Sequence, residues 1–188
     1  PDEYREYPLS FGEYLSFKGI EANKFTEDGA AVLASAFRSY CKEGGFPPVV
    51  LTQGETEKTK ILQSYFNTML FHDLIEHYRI SASPSVVRYV LKRVMNNLTK
   101  PTSVNAIYNE LKSQGMKVSK DSLYQWLDYA CNIFMFYRVP KYTKSLVKEN
   151  TALPKYYMAD IGLRTSVLLP QRADEGNPSA NVFSPPLQ

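Results

Sequence analysis

Few residues in this chain are of a type that does chemistry. Its 188 residues include two histidines and two cysteines. Both histidines fall in one run, His72-Asp73-Leu74-Ile75-Glu76-His77. A metal centre is the first chemistry to test there, but the zinc-protease patterns require HExxH or HxxEH, and this run reads HxxxEH. On an α-helix, residues five apart sit about 140° from alignment, so His72 and His77 are expected to face apart. His72 with Glu76 and Asp73 with His77 then read as i,i+4 surface pairs. Cys41 and Cys131 form neither a CxxC pair nor a disulfide framework, and they read as buried structural thiols in a reduced, cytoplasmic setting. A nucleophilic enzyme needs its Ser or Cys served by a positioned base, and no sequence cue places one.

Phosphate chemistry fares no better. A Walker loop needs GxxxxGK[ST], because glycines let backbone N–H groups reach the phosphates. The nearest run, Gly54-Glu55-Thr56-Glu57-Lys58-Thr59, has Glu57 where the second glycine belongs. The chain is therefore expected to be no enzyme by itself and to carry no metal or cofactor of its own. One backbone signal is more specific than a plain turn. In Gly44-Gly45-Phe46-Pro47-Pro48 the glycines open conformations closed to other residues and the prolines fix the exit. Alone, it reads as a helix stop.

Charge narrows the function classes. Residues 1–78 hold 7 Lys/Arg and 12 Asp/Glu, a net of −5, whereas residues 79–164 hold 14 and 5, a net of +9. The last 24 residues carry −1, so the overall +3 hides an acidic half joined to a basic half. Such asymmetry points the second half toward a polyanion or an acidic partner. No run of 18 apolar residues exists, so no helix is expected to span a membrane, and no basic-then-apolar leader opens the chain.

The elements that position these residues follow from periodicity. Ser10, with Glu13 three residues on, marks a capping box for a helix reaching Gly19. A second helix covers Ala30–Lys42, with Val32, Leu33, Ala36, Phe37 and Tyr40 at helical spacing, and Gly44 stops it. A long helix runs from about Glu55 to Tyr78. Ser81-Ala82-Ser83-Pro84 breaks the chain where the charge changes sign, and the domain boundary is placed there. Helices then follow over Ser85–Leu98, Ser103–Gln114 and from Ser119 onward. A strand over Ile133–Val139, a basic loop over Lys141–Pro154 and a returning strand over Lys155–Ala159 complete the pattern. The fold class is mainly α: a helical, lid-like bundle over 1–79, then a winged helix-turn-helix with a small β-hairpin over 80–164, then a frayed tail over 165–188. On the winged helix, Tyr124 and Gln125 are candidates to contact bases. Lys112, Lys117, Lys120, Lys141, Lys144, Lys148 and Lys155 are candidates for phosphates. Asp121 and Asp128 oppose that role. Winged helices also serve as protein-docking modules.

Five ordered segments carry a family resemblance. Tyr7-Pro8-Leu9-Ser10-Phe11-Gly12-Glu13-Tyr14-Leu15 resembles the "YPLSFxEYL" segment of a large family of prokaryotic AAA-type P-loop ATPases that carry a C-terminal domain of unknown function. Gly44-Gly45-Phe46-Pro47 resembles that family's "GGFP", and Leu70 to Tyr78 its "LLRDIIERY". Val118-Ser119-Lys120-Asp121-Ser122-Leu123 resembles "VSKDTV", and Tyr157 to Arg164 "YFIDTGLR". The resemblance implies that Walker motifs, ATP and Mg belong to a P-loop core upstream of Tyr7. It makes residues 7–78 that core's helical lid, and 80–164 a winged helix coupling nucleotide state to a DNA or protein partner. It also gives Gly44, Gly45, Phe46 and Pro47 a place beside the nucleotide. His72 and His77 stand where the family has arginines, and Pro178 and Ala180 depart from its next segment, so no nuclease-like domain is expected within this chain. The alternative function is a free-standing DNA-binding regulator; a metal-dependent hydrolase is the outlying third. Separated from a core, the lid is expected to expose Phe11, Tyr14 or Phe17 and to self-associate.

Overall fold

The computed structural model describes residues 7–144 and 152–168. Lys148 and the tail from residue 169 lie outside the described residues. The chain is mainly helical, with one small antiparallel sheet of two strands. Helix α1 spans Phe11–Phe17 and α2 Glu27–Glu43. A five-residue helix, α3, spans Pro47–Leu51, and α4 spans Glu55–Thr68. A π-helical segment, Met69–Glu76, continues α4. Helices α5 (Pro84–Asn96), α6 (Val104–Ser113) and α7 (Lys120–Asn132) follow. Strands β1 (Phe136–Val139) and β2 (Lys155–Met158) pair, with Tyr137 opposite Tyr157 and Val139 opposite Lys155. Helix α8 spans Ile161–Leu168.

Local signals account for most of these ends. Ser10 caps α1 through the full box: its N–H donates to Glu13 at 2.7 Å, and Glu13 N–H donates back to Ser10 Oγ at 3.4 Å. Thr26, Ser103 and Ser119 each accept from the third residue of their helices. At the C-terminal ends, α1 and α6 stop at Gly19 and Gly115, with φ of +63° and +74°. The long helix and α7 stop the same way at Arg79 and Phe134, with φ of +51° and +58°. The paired bonds are those of a Schellman motif: Ile80 N–H reaches Ile75 O, and Met135 N–H reaches Ala130 O. A side chain in that left-handed region strains the backbone by about 1–2 kcal/mol.

Val49-Val50-Leu51, to which the sequence assigns no element, is helical, because Pro47 and Pro48 sit at the first turn, where no N–H is needed. The structure differs from the sequence expectations in three places. Thr165–Leu168, placed in the tail, instead completes α8. Tyr14 is buried at 2% exposure beneath Tyr40, whereas Phe17, Phe25 and Phe37 are exposed. The histidine run is π-helical: His77 N–H donates to His72 O at 3.1 Å, so each turn closes over the fifth residue. The two histidines therefore sit nearer one face than α-helical geometry allows. His72 Nδ1 pairs with Glu76 at 2.7 Å as expected, whereas the His77 ring packs edge-on against Tyr78 instead of meeting Asp73.

One hydrophobic core runs through both halves. Leu62, Phe66, Leu70 and Leu74 from the long helix join Val87, Val90, Leu91 and Val94 of α5, Leu123 and Leu127 of α7, and Leu163 of α8. Tyr78 stacks face to face on Tyr129 at 3.8 Å between centroids. The residue pattern thus separates charge on the surface without separating the apolar interior. Arg79→Gly is expected to raise stability by roughly 0.5–1 kcal/mol in urea melts, the relief of left-handed strain less the added chain entropy. An unchanged or lower midpoint would show that the Arg79 side chain contributes more than its backbone loses.

Candidate functional site

The Gly44-Gly45-Phe46-Pro47 corner sits between two buried carboxylates. Asp160, 3% exposed, caps α8: Leu163 N–H donates to its Oδ1 at 3.2 Å. Its other oxygen accepts from Gly45 N–H at 2.6 Å, across 115 residues of chain. Burial pushes the Asp160 carboxyl above its ordinary value, while the N–H donors of Gly45, Leu163 and Gly162 pull back toward the charged form. Gly44 has a φ of +78°, and a Cβ there would run into the Asp160 carboxylate. A Cβ on Gly45 would meet the Leu9 backbone, and one on Gly162 the Glu43 carbonyl. Gly45 O accepts from Leu9 N–H at 2.8 Å, and the Tyr40 hydroxyl donates to Leu9 O at 2.8 Å. Three distant segments therefore touch backbone to backbone, and the glycines are what let them.

The second carboxylate is Glu43, 5% exposed at the end of α2. The Tyr14 hydroxyl donates to it, and the Lys58 ammonium pairs with it. Lys18 lies 3.6 Å away and also donates to Val50 O at 2.5 Å. Burial first, and the Glu43 contact second, push the Tyr14 hydroxyl well above its ordinary value. This buried charge is thus paired and hydrogen-bonded from α1 and α4.

Beside the corner lies an open groove of about 630 Å³. Pro8, Phe46, Pro47, Tyr65, Met69 and Leu163 are among its walls, and Tyr7, Phe134 and Tyr137 stand among its more exposed residues. Phe46 packs edge-on to Tyr65 at 5.1 Å, and Tyr7 edge-on to Phe134 at 6.4 Å. Among the described residues, no charged one lines it. Flat aromatic walls without charge suit a flat, largely apolar guest.

Of the corner residues singled out from sequence, Gly44 and Gly45 are buried against Asp160 and Leu9, and Phe46 and Pro47 face the groove. The basic candidates fall elsewhere. Lys112 and Lys117 line a shallow groove of about 560 Å³ at the α6–α7 turn, and Lys120 lies 5.3 Å over the Tyr108 ring. Tyr124 and Gln125 are exposed on α7; Lys141, Lys144 and Lys155 are exposed on the hairpin. Asp160 and Glu43 were not singled out from sequence. An Asp three residues before Leu163 is an N-cap signal for α8, and it could have located the first of them. Among the described residues, no group of three or more His, Cys, Asp and Glu could hold a metal. No described helix is long and apolar enough to cross a membrane.

Fold and site together define a helical protein with a minor sheet, organised around a glycine corner tied to a buried aspartate. Residues 34–174 match the family described as "Domain of unknown function (DUF8612)", and the chain belongs to that family. It is similar to an uncharacterized protein of Haemophilus influenzae, 28% identical over 96% of this chain and 43% of that protein. It is also similar to an uncharacterized protein of Methanocaldococcus jannaschii, 27% identical over 81% of this chain and 34% of that one. The chain thus spans less than half the length of either relative. No solved structure matches it.

Asp160→Ala is expected to cost about 2–4 kcal/mol in urea melts, since it leaves buried N–H donors unpaired. Because the Asp160 carboxyl is raised on folding, its ionisation opposes the fold. That contribution to stability is full at pH below its ordinary value of 3.8 and falls as pH rises through the raised folded value. The difference in stability between the parent chain and Asp160→Asn should therefore shift in the parent's favour toward acid.

Proposed function

We propose that this chain is the non-catalytic, responding part of a P-loop ATPase of the AAA type: a helical lid followed by a winged helix that passes nucleotide state to a partner. The observation that carries the reading is convergence. Leu9, Gly45 and Asp160 belong to three of the segments that resemble the ATPase family, and they are joined by direct hydrogen bonds. The aromatic groove beside them supports a base-binding role for Phe46 and Pro47. The exposed Phe17, Phe37 and Leu51 offer the upstream core an apolar face.

A further observation favours the winged-helix half of this reading. The link between α5 and α6 lies along β2: Thr99 N–H donates to Tyr156 O at 3.1 Å, Thr102 N–H donates to Pro154 O at 2.9 Å, and Pro101 bridges Lys155. This single bridge between the α5–α6 link and the returning hairpin strand supports a winged-helix reading, in which a short segment between the first two helices pairs with the hairpin.

Two measurements test the proposal. The purified chain should hydrolyse no ATP; turnover by the chain alone would overturn it. Titration with adenosine or ATP, followed by amide NMR, should shift Gly45, Phe46 and Tyr65 and leave α6 unmoved, with Phe46→Ala weakening the effect at least tenfold. Saturating nucleoside without shifts at Phe46 and Tyr65 would remove the base-binding role.

A further inference from the structure

The basic half carries its charge in an unusual state. Among its described acids, Glu110 is held by Arg93 at 2.9 Å and by the Tyr89 hydroxyl at 2.6 Å. Asp128 is held by Arg138 at 2.8 Å, and Asp160 is buried. Only Asp121 remains exposed without an ion-pair partner. The cations are the reverse. Lys112, Lys117, Lys120, Lys141, Lys144 and Lys155 are all exposed, and none is paired with a carboxylate of the described residues. Attractive charge is therefore left over on two elements, the α6–α7 turn and the root of the hairpin.

The outward face of α7 has a different character. It presents Tyr124 and Gln125 between Asp121 and the Arg138-paired Asp128, so the helix offers no free cation there, and the unpaired Asp121 carboxylate repels the phosphates that line a major groove. We propose that this half grips the phosphate backbone of duplex DNA through the α6–α7 turn and the hairpin root, without reading base sequence. The proposal deepens the winged-helix reading and rests on it, since that arrangement sets the turn and the hairpin on either side of α7. Duplex DNA is favoured over a bilayer because the α6–α7 turn, which carries three of the six lysines, exposes no large apolar side chain to insert: Tyr108, Met116 and Val118 are half-buried, and exposed Val139, Tyr142 and Leu153 are confined to the hairpin. It is favoured over a short acidic peptide because the unpaired lysines occupy two separate elements, which suits a long polyanion of regular charge spacing.

Anisotropy of a labelled duplex, measured from 50 to 200 mM salt, tests this directly. Each phosphate contact adds about 0.9 to the slope of log K against log salt, so a fourfold rise in salt weakens binding roughly 3.5-fold per contact and about 2,000-fold for six. The triple variant Lys112→Ala, Lys117→Ala, Lys120→Ala should flatten the slope by about 2.7 and weaken two unrelated duplex sequences equally. Its thermal melt by circular dichroism should stay close to that of the parent chain, because all three side chains are exposed and the Lys120–Tyr108 contact is a surface one. Gln125→Ala should leave affinity unchanged. No binding at 50 mM salt, a slope the triple variant does not alter, or a sequence preference lost with Gln125→Ala would each overturn the proposal. So would equal binding to polyglutamate or to anionic vesicles. If the nucleotide-dependent shifts at Phe46 persist in those cases, this proposal falls alone; if they are absent too, the base-binding role falls with it.

Discussion

The structure depends on one carboxylate doing two jobs. Asp160 caps α8 and, with its second oxygen, holds the Gly45 N–H. A buried carboxylate is tolerable only when its lone pairs are satisfied, and here the donors are backbone amides from two places far apart in sequence. The amide geometry in turn needs residues without Cβ at Gly44, Gly45 and Gly162, because the space a side chain would take is filled by the Asp160 carboxylate, the Leu9 backbone and the Glu43 carbonyl. The corner is thus less a turn than a junction, where the entrance of the chain, the end of α2 and the start of α8 are fixed to one another.

That junction explains how an acidic half and a basic half share one interior. Helix α8 follows the hairpin in sequence but packs back on the first half: Gln63 of α4 donates to Ser166 O at 3.1 Å, while Arg164 donates to Met95 O of α5 at 3.0 Å. Leu163 lies in the common core. The corner, α8 and α5 are thus joined by a continuous set of hydrogen bonds. The proposed signal-passing role rests on that continuity between the aromatic groove and the basic half. The aromatic groove shares the same parts, since Phe46, Pro47 and Leu163 form its walls. Phe134 beside it is held in a strained left-handed backbone where glycine is the usual occupant.

Much of the secondary structure was legible because it is written in local signals. The Ser10–Glu13 box, the caps at Ser103 and Ser119 and the glycines at 19 and 115 each act within one turn of helix. The two hairpin strands followed from two apolar, β-branched and aromatic runs. Three features were hidden for identifiable reasons. The π-helical winding of Met69–Glu76 leaves no mark on a pattern read at α-helical spacing, so the angle between His72 and His77 came out wrong. Helix α8 is short, and its residues are held by tertiary contacts rather than by an amphipathic stripe. The roles of Asp160 and Glu43 arise from partners 115 and 29 residues away, a separation no local pattern encodes. The glycine corner stood out in the sequence, but what it is tied to did not.

Hydrogen exchange at the Gly45 amide tests the central claim most directly. If the Asp160 carboxylate locks the corner to α8, that amide should exchange only through global unfolding in the parent chain. In the Asp160→Ala protein it should exchange through a local opening, together with the amides of α8. Rapid exchange at Gly45 in the parent, or protection that survives loss of the carboxylate, would contradict the account.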